Sequence, residues 1–223
     1  MQILKKCAAV FMISVLLSMG AGGAFADNSG GTAQAVSIGG RTFNVTVPTE
    51  FKDDISMEEL FSIAGSDPDA GDIGIIKVGY AVRGLDNLSK TDTDAPGICV
   101  MGSVIKAYTI YNEFQSDRFI ASYAKGETVK TQSVISSTLR STISGGIPVG
   151  LAGVTLTCDI TKGTELTGPD ESSEYNSREY RCKFYQSSGK WIQVIAINGI
   201  AISQSGRFRE PSKYILYSRD IKV

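Results

Sequence analysis

Residues 128–161 read TVKTQSVISSTLRSTISGGIPVGLAGVTLTCDIT, and the spacing of apolar side chains here decides the fold class. Val129, Ile135, Leu139 and Ile143 fall on one parity, together with Thr131, Ser133, Ser137 and Ser141. The other parity runs Thr128, Lys130, Gln132, Val134, Ser136, Thr138, Arg140, Thr142, Ser144, with Val134 its one apolar member. A repeat of two is strand spacing, because successive side chains point to opposite faces. The Ser and Thr content argues further against a helix. Gly145-Gly146 can take the positive φ of a tight turn. The return arm starts on one parity (Ile147, Val149, Leu151) and resumes on the other (Val154, Leu156, Cys158, Ile160), which predicts a β-bulge at Ala152-Gly153. The stretch therefore reads as one long hairpin, and as the spine of a β domain.

Upstream, the chain opens with Lys5 and Lys6, an apolar run from Cys7 to Met19, and small residues ending Ala24-Phe25-Ala26. A charged start, a short apolar run and an A-x-A step predict a secretory signal peptide, cleaved after Ala26. The apolar run is short for a membrane span, which needs about 20 residues. Residues 27–34 are rich in Gly, Ser and Asn and read as a disordered lead-in, leaving 35–223 as a single, mostly β domain. The RDIKV end carries no anchor tail, so a secreted, extracellular product is expected.

Several elements can be placed. Residues 35–48 form a small hairpin about Gly39-Gly40. Ser56-Met57-Glu58-Glu59 fits a capping box and predicts one short helix near 57–64, stopped at Gly65. Strands follow at 73–83, 98–111 and 118–124, with a turn at 115–117. A polar loop spans 162–177. Strands at 178–185 and 190–197 are separated by a turn at Ser187-Ser188-Gly189, and the last strands are 200–204 and 214–223. Asn198-Gly199 is the strongest hairpin signal in the chain. The resulting class is mainly β, an antiparallel sandwich or an elongated twisted sheet with one short helix.

Charge is uneven. Residues 27–95 hold 12 acids and 5 bases, whereas 96–223 hold 11 acids and 15 bases. Within the basic part, Arg178, Arg181, Lys183, Lys190, Arg207 and Arg209 are the candidate binding residues, since alternation can line several of them on one sheet face. Such a face suits an anionic wall polymer, a glycan or a lipid surface. It equally suits solvation of a sheet edge, where Lys and Arg discourage aggregation. No nucleic-acid partner and no cofactor are expected.

Other chemistry is weakly supported. The chain has no His, which removes triads with a His base and His-ligated metals. Asp67, Asp69 and Asp72 do not keep the EF-hand spacing and read as an Asp-Pro-Asp turn. Glu165, Asp170, Glu171 and Glu174 cluster in one loop with nothing to set a catalytic separation. Trp191, Tyr185 and Phe208 could stack on a sugar or could be core. Of the three cysteines after residue 26, Cys158 and Cys182 fall on apolar parities of neighbouring strands and are the disulfide candidates. A catalytic role has no residue to carry it, so a hydrolase is the least supported class. A second, membrane-acting class remains, because long Ser/Thr-rich hairpins are what β-pore formers insert.

The segments YAKGETVKTQSVISSTL (123–139) and VTLTCDITKGTELTGPDESSEYNSREYRCKFYQSSGKW (154–191) resemble a group of small secreted proteins of Gram-positive bacteria. Those proteins share a Ser/Thr-rich alternating hairpin and a Y-N-S-R-E-[YF]-R block. The resemblance covers about a third of the chain. It implies an extracellular β protein and supplies no activity and no functional residues.

Overall fold

A computed structural model describes residues 31–67, 69–81, 104–145, 153–197 and 200–223. The signal-peptide segment, the Ala152 side of the expected bulge, Gly146, Cys99 and Asn198-Gly199 lie outside the described residues.

The fold is mainly β, as the alternation predicts. A seven-stranded sheet runs β1 (Gly31–Ile38), β2 (Arg41–Pro48), β3 (Ile73–Tyr80), β11 (Ile200–Ile221), β10 (Ser177–Ile197), β4 (Val104–Ala124), and β7 (Thr142–Ile143) lies beside β11. All its pairings are antiparallel except β2 with β3. The α1 helix (Met57–Ala64) has the expected bounds, and its capping box is present: Glu59 N donates to Ser56 Oγ at 3.2 Å, and Ser56 N donates to Glu59 Oε2 at 2.8 Å. This satisfies two amides that a helix start leaves without partners.

The β1–β2 hairpin turns at Gly39 and Gly40, both at positive φ (59° and 83°). However, β1 starts at Gly31, inside the stretch expected to be disordered. Polar composition there is overridden by a ladder from Gly31↔Pro48 to Ile38↔Arg41 on a strand whose Phe43, Val45 and Val47 are core.

The spine of the sheet is the β10–β11 hairpin, paired from Ser177↔Ile221 to Ile197↔Ile200, either side of Asn198-Gly199. The turn expected at Ser187-Ser188-Gly189 does not form; these residues run straight on, opposite Glu210, Arg209 and Phe208. Gly189 is there for close approach: a Cβ would overlap the Ala107 carbonyl of β4. The turn expected at 115–117 is likewise absent, because Ser116 and Asp117 pair with Phe184 and Lys183 in one continuous β4. Register shifts along that ladder, and Asn112 at φ 50°, absorb the bending that separate strands would have relieved.

The 128–161 hairpin is a covering layer, not the spine. Its arms pair as expected through β6 (Ile135–Arg140) and β8 (Thr155–Ile160), from Ile135↔Ile160 to Arg140↔Thr155. The same register continues past a break into β5 (Thr128–Lys130) and β9 (Glu165–Thr167), so a strand lies in the stretch expected to be a polar loop. At the other end the chain departs from the reading. Thr142 and Ile143 pair with β11 and Ser144 N donates to Arg207 O, so beyond Ser141 the first arm joins the edge of β11.

Three apolar clusters hold these layers. One joins α1 (Leu60, Ile63) to Val36, Val45, Ile73, Ile215, Tyr185 and Tyr217 on one sheet face. A second, on the other face, joins Leu139, Leu156, Cys158 and Ile160 of the covering hairpin to Cys182, Phe184, Tyr214 and Leu216. The third, Trp191 and Phe208, lies in the far half of the β10–β11 ribbon.

Candidate functional site: the exposed cationic face of the far ribbon

The six candidate bases divide by depth. Arg178 is buried and pairs bidentately with Asp220 at 2.6 and 3.0 Å. Burial raises the Asp220 carboxyl pKa against the lowering effect of Arg178. Arg181 donates to Asp117 at 3.1 Å and to Glu179 at 3.0 Å, in a network that also holds Arg219 and the Tyr217 hydroxyl. Lys183 is buried and donates to the Ser62 carbonyl at 2.7 Å, tying the sheet to α1. Burial lowers its ammonium pKa, against the opposing pull of Asp117. These three are internal ties and are withdrawn from the binding surface. Their strand lies between two covered faces, so either parity points inward.

Lys190, Arg207 and Arg209 are different: all three are exposed. Lys190 lies directly opposite Arg207, and Arg209 lies opposite Ser188, one row back on the same face. Rows on a strand face are about 7 Å apart. On β4 the same rows carry Ala107 and Ile110, which bring no counter-charge. The carboxylate on that face of β4, Glu113, sits opposite Gln186, four residues back along β10. Among the described residues no ion pair reaches any of the three cations. Like charges directly opposite on an antiparallel pair are destabilising, so this is a locally unfavourable arrangement that the fold tolerates.

Burial along β10 shows why the face is open. Cys182 and Phe184 are covered by the hairpin layer and Gln186 is buried, whereas Lys190, Ile192 and Val194 of the same parity are exposed. The opposite parity stays buried through Trp191 and Gln193. Trp191 Nε1 donates to Ser144 O at 3.2 Å, and the Tyr108 ring meets Phe208 edge-on, so this face is closed by the chain following β7 and by β4.

Beyond the cations the exposed side chains of β10 and of the facing end of β4 are apolar, whereas Ser203, Gln204 and Ser205 of β11, also exposed, are polar. Ile192 lies opposite Ile105 of β4, and Val194 follows on the same face; they are 48%, 64% and 48% exposed. Ile200 and Ile202, on the other parity of β11, are 68% and 41% exposed. Spacing alone did not reveal this apolar tip, because Ile192, Val194, Ile200 and Ile202 look like strand core in sequence.

The sugar-stacking set does not form. Trp191, Tyr185 and Phe208 are all buried, in two different clusters. The acids of the 162–177 loop are also dispersed: Glu174 pairs with Lys222 at 2.8 Å, while Glu165 sits on β9 opposite Lys130. In the Asp turn, Asp67 accepts from Asp69 N at 3.0 Å, Asp69 pairs with Arg41, and Asp72 accepts from Asn44. Among the described residues no group of three His, Cys, Asp or Glu is placed to hold a metal. Cys158 and Cys182 do come together in one cluster, as buried free thiols and not as the expected disulfide, and burial pushes the Cys182 thiol up.

A buried carboxylate, Glu210, lies at the root of the ribbon beside a cleft of about 420 Å³ lined by Tyr80, Tyr111, Asn112 and Ser187. Lys106 donates to it at 3.3 Å and the Tyr108 hydroxyl also donates, so its charge is already met by the protein.

No family model matches this chain, and neither curated proteins nor solved structures give a match to it.

Proposed function

We propose that this is an exported, non-catalytic interaction protein that docks on an anionic surface of the cell envelope through the exposed face of its C-terminal hairpin. One observation carries the reading: Lys190, Arg207 and Arg209 stand together on one face with no carboxylate among them. Unneutralised like charges in cross-strand register cost stability. A local rule broken without internal compensation points to an external partner. The signal-peptide pattern of the first 26 residues supports the compartment.

The test is binding of the chain from Asp27 onward to isolated envelopes and to a soluble polyanion, inorganic polyphosphate, over a range of salt. Binding should fall as salt rises and fall in the variant K190Q/R207Q/R209Q. Equal binding by that variant would remove the basis of the proposal. The same substitutions at Arg178, Arg181 and Lys183 would not serve, since those groups hold the fold.

Insertion of the 128–161 hairpin is less favoured. Leu139, Leu156, Cys158 and Ile160, the side chains that would face lipid, are spent on the core.

A further inference from the structure

We infer that the anionic surface is a lipid bilayer, and that the tip of the β10–β11 ribbon lies shallowly in its interface. This rests on the docking reading above and narrows it to one partner class.

The geometry points to lipid because charge and apolar exposure are arranged in sequence along one ribbon. Lys190, Arg207 and Arg209 form a band. Outward from it, Ile105, Ile192 and Val194 are exposed on the cation face beside Ser203 and Ser205, and Ile200 and Ile202 on the other face beside Gln204. A dissolved polyanion has no use for branched aliphatic side chains exposed on both faces of a ribbon. An anionic bilayer matches both parts: phosphates meet the cations, and the aliphatic side chains enter the boundary between headgroups and acyl chains. Such elements sit about 5–10 Å deep, and the outer residues of the ribbon, at about 3.3 Å each, can cover that depth. Each base near an anionic leaflet strengthens binding about fivefold.

The same structure limits the depth. Among the described residues β11 has ladder partners on its outer side at Phe208 and Arg209 and from Lys213 onward, and none there for 200–206. An open strand edge cannot be carried into hydrocarbon, where unpaired backbone groups are costly. The ribbon therefore binds without spanning and without opening a pore.

The experiment is co-sedimentation of the chain from Asp27 onward with vesicles of phosphatidylcholine and phosphatidylglycerol, with phosphatidylcholine vesicles and polyphosphate as separate arms. Entrapped dye is read in the same tube. Wild type should bind the anionic vesicles without dye release. I192S/V194S/I200S alters only exposed side chains; it should lose about tenfold or more in vesicle affinity, by the apolar area withdrawn, and keep its polyphosphate binding. K190Q/R207Q/R209Q should lose about a hundredfold on vesicles and lose polyphosphate binding as well. Unchanged melting temperatures confirm folding, and V194S alone serves if the triple variant is unstable.

Vesicle binding by I192S/V194S/I200S equal to wild type would overturn the lipid inference and leave the docking reading standing. Binding to polyphosphate but not to vesicles would do the same. Binding to none of the three probes would remove both. Dye release accompanying binding would overturn the shallow placement.

Discussion

At the residue scale, Tyr185 is the clearest case of a polar group held at a cost. Its hydroxyl is buried and, among the described residues, has no hydrogen-bond partner. An orphaned buried hydroxyl costs about 1–3 kcal/mol, so Tyr185→Phe should stabilise the protein by about 1 kcal/mol in urea unfolding at neutral pH. Cys158 and Cys182 give a second test. Both thiols are fully buried and unbonded. A maleimide should leave them unlabelled in the native protein and label both, without added reductant, after denaturation. Absence of that second labelling would mean the pair had oxidised. The sequence brought these two cysteines together correctly, through parity on adjacent apolar strands. It could not say whether they are joined, because that depends on local geometry and redox environment rather than on spacing.

At the scale of elements, α1 shows how a local signal and a distant residue combine. Ser56 and Glu59 form the capping box, which is written in four consecutive letters. Lys213 of β11 then reaches Glu59 at 2.8 Å, and that partner, 154 residues away, is invisible to local reading. Glu59→Ala removes a cap and leaves a buried ammonium less well paired. A loss of about 2–3 kcal/mol is expected by denaturant unfolding, against about 1 kcal/mol for Ser56→Ala. The long strands teach the converse lesson. Gln115-Ser116-Asp117 and Ser187-Ser188-Gly189 have turn composition, yet both lie inside unbroken strands. Their polar groups are accommodated by neighbours: Asp117 accepts from Arg181 and Tyr217, and Asn112 N donates to Ser187 Oγ. Gly189→Val should part β4 from β10, because the added side chain meets the Ala107 backbone. Destabilisation of about 2 kcal/mol or more is expected from such overpacking, whereas Gly39, with open space around its Cβ, should yield less than that to Ala despite its positive φ.

At the scale of the whole molecule, the tyrosines set the alkaline limit. Burial, joined by the Asp54 carboxylate, raises Tyr80 from 10.0 to about 12, and burial raises Tyr214 to about 12 as well. Tyr185 and Tyr217 are pushed higher still, chiefly by burial. The unfolded chain loses these protons near pH 10 while the folded chain keeps them. The stabilisation is therefore fully present below about pH 10 and lost as pH rises through the folded values. Lys183, lowered by burial, works with the opposite sign but is one group against several. Unfolding free energy should fall steeply between about pH 10 and 12, and Tyr185→Phe should flatten that fall. Surface docking should show a different signature, sensitivity to salt at neutral pH with no change in stability, because Lys190, Arg207 and Arg209 are exposed and outside the internal ion pairs.

Periodicity and turn chemistry by themselves determined the class of this protein: mainly β, with α1 placed to the residue, the Gly39-Gly40 hairpin, and the inward and outward faces of 128–143. These are short-range properties, since a side chain's parity and a cap's hydrogen bonds depend on neighbours in sequence. Tertiary structure decided which hairpin is the spine, that the first arm joins β11 beyond Ser141, and which bases are free. Arg178, Arg181 and Lys183 are indistinguishable in composition from Lys190, Arg207 and Arg209. What separates them is where the covering layers end along β10. That boundary is set by packing between segments far apart in the chain, so only the folded molecule assigns three cations to its interior and three to its surface.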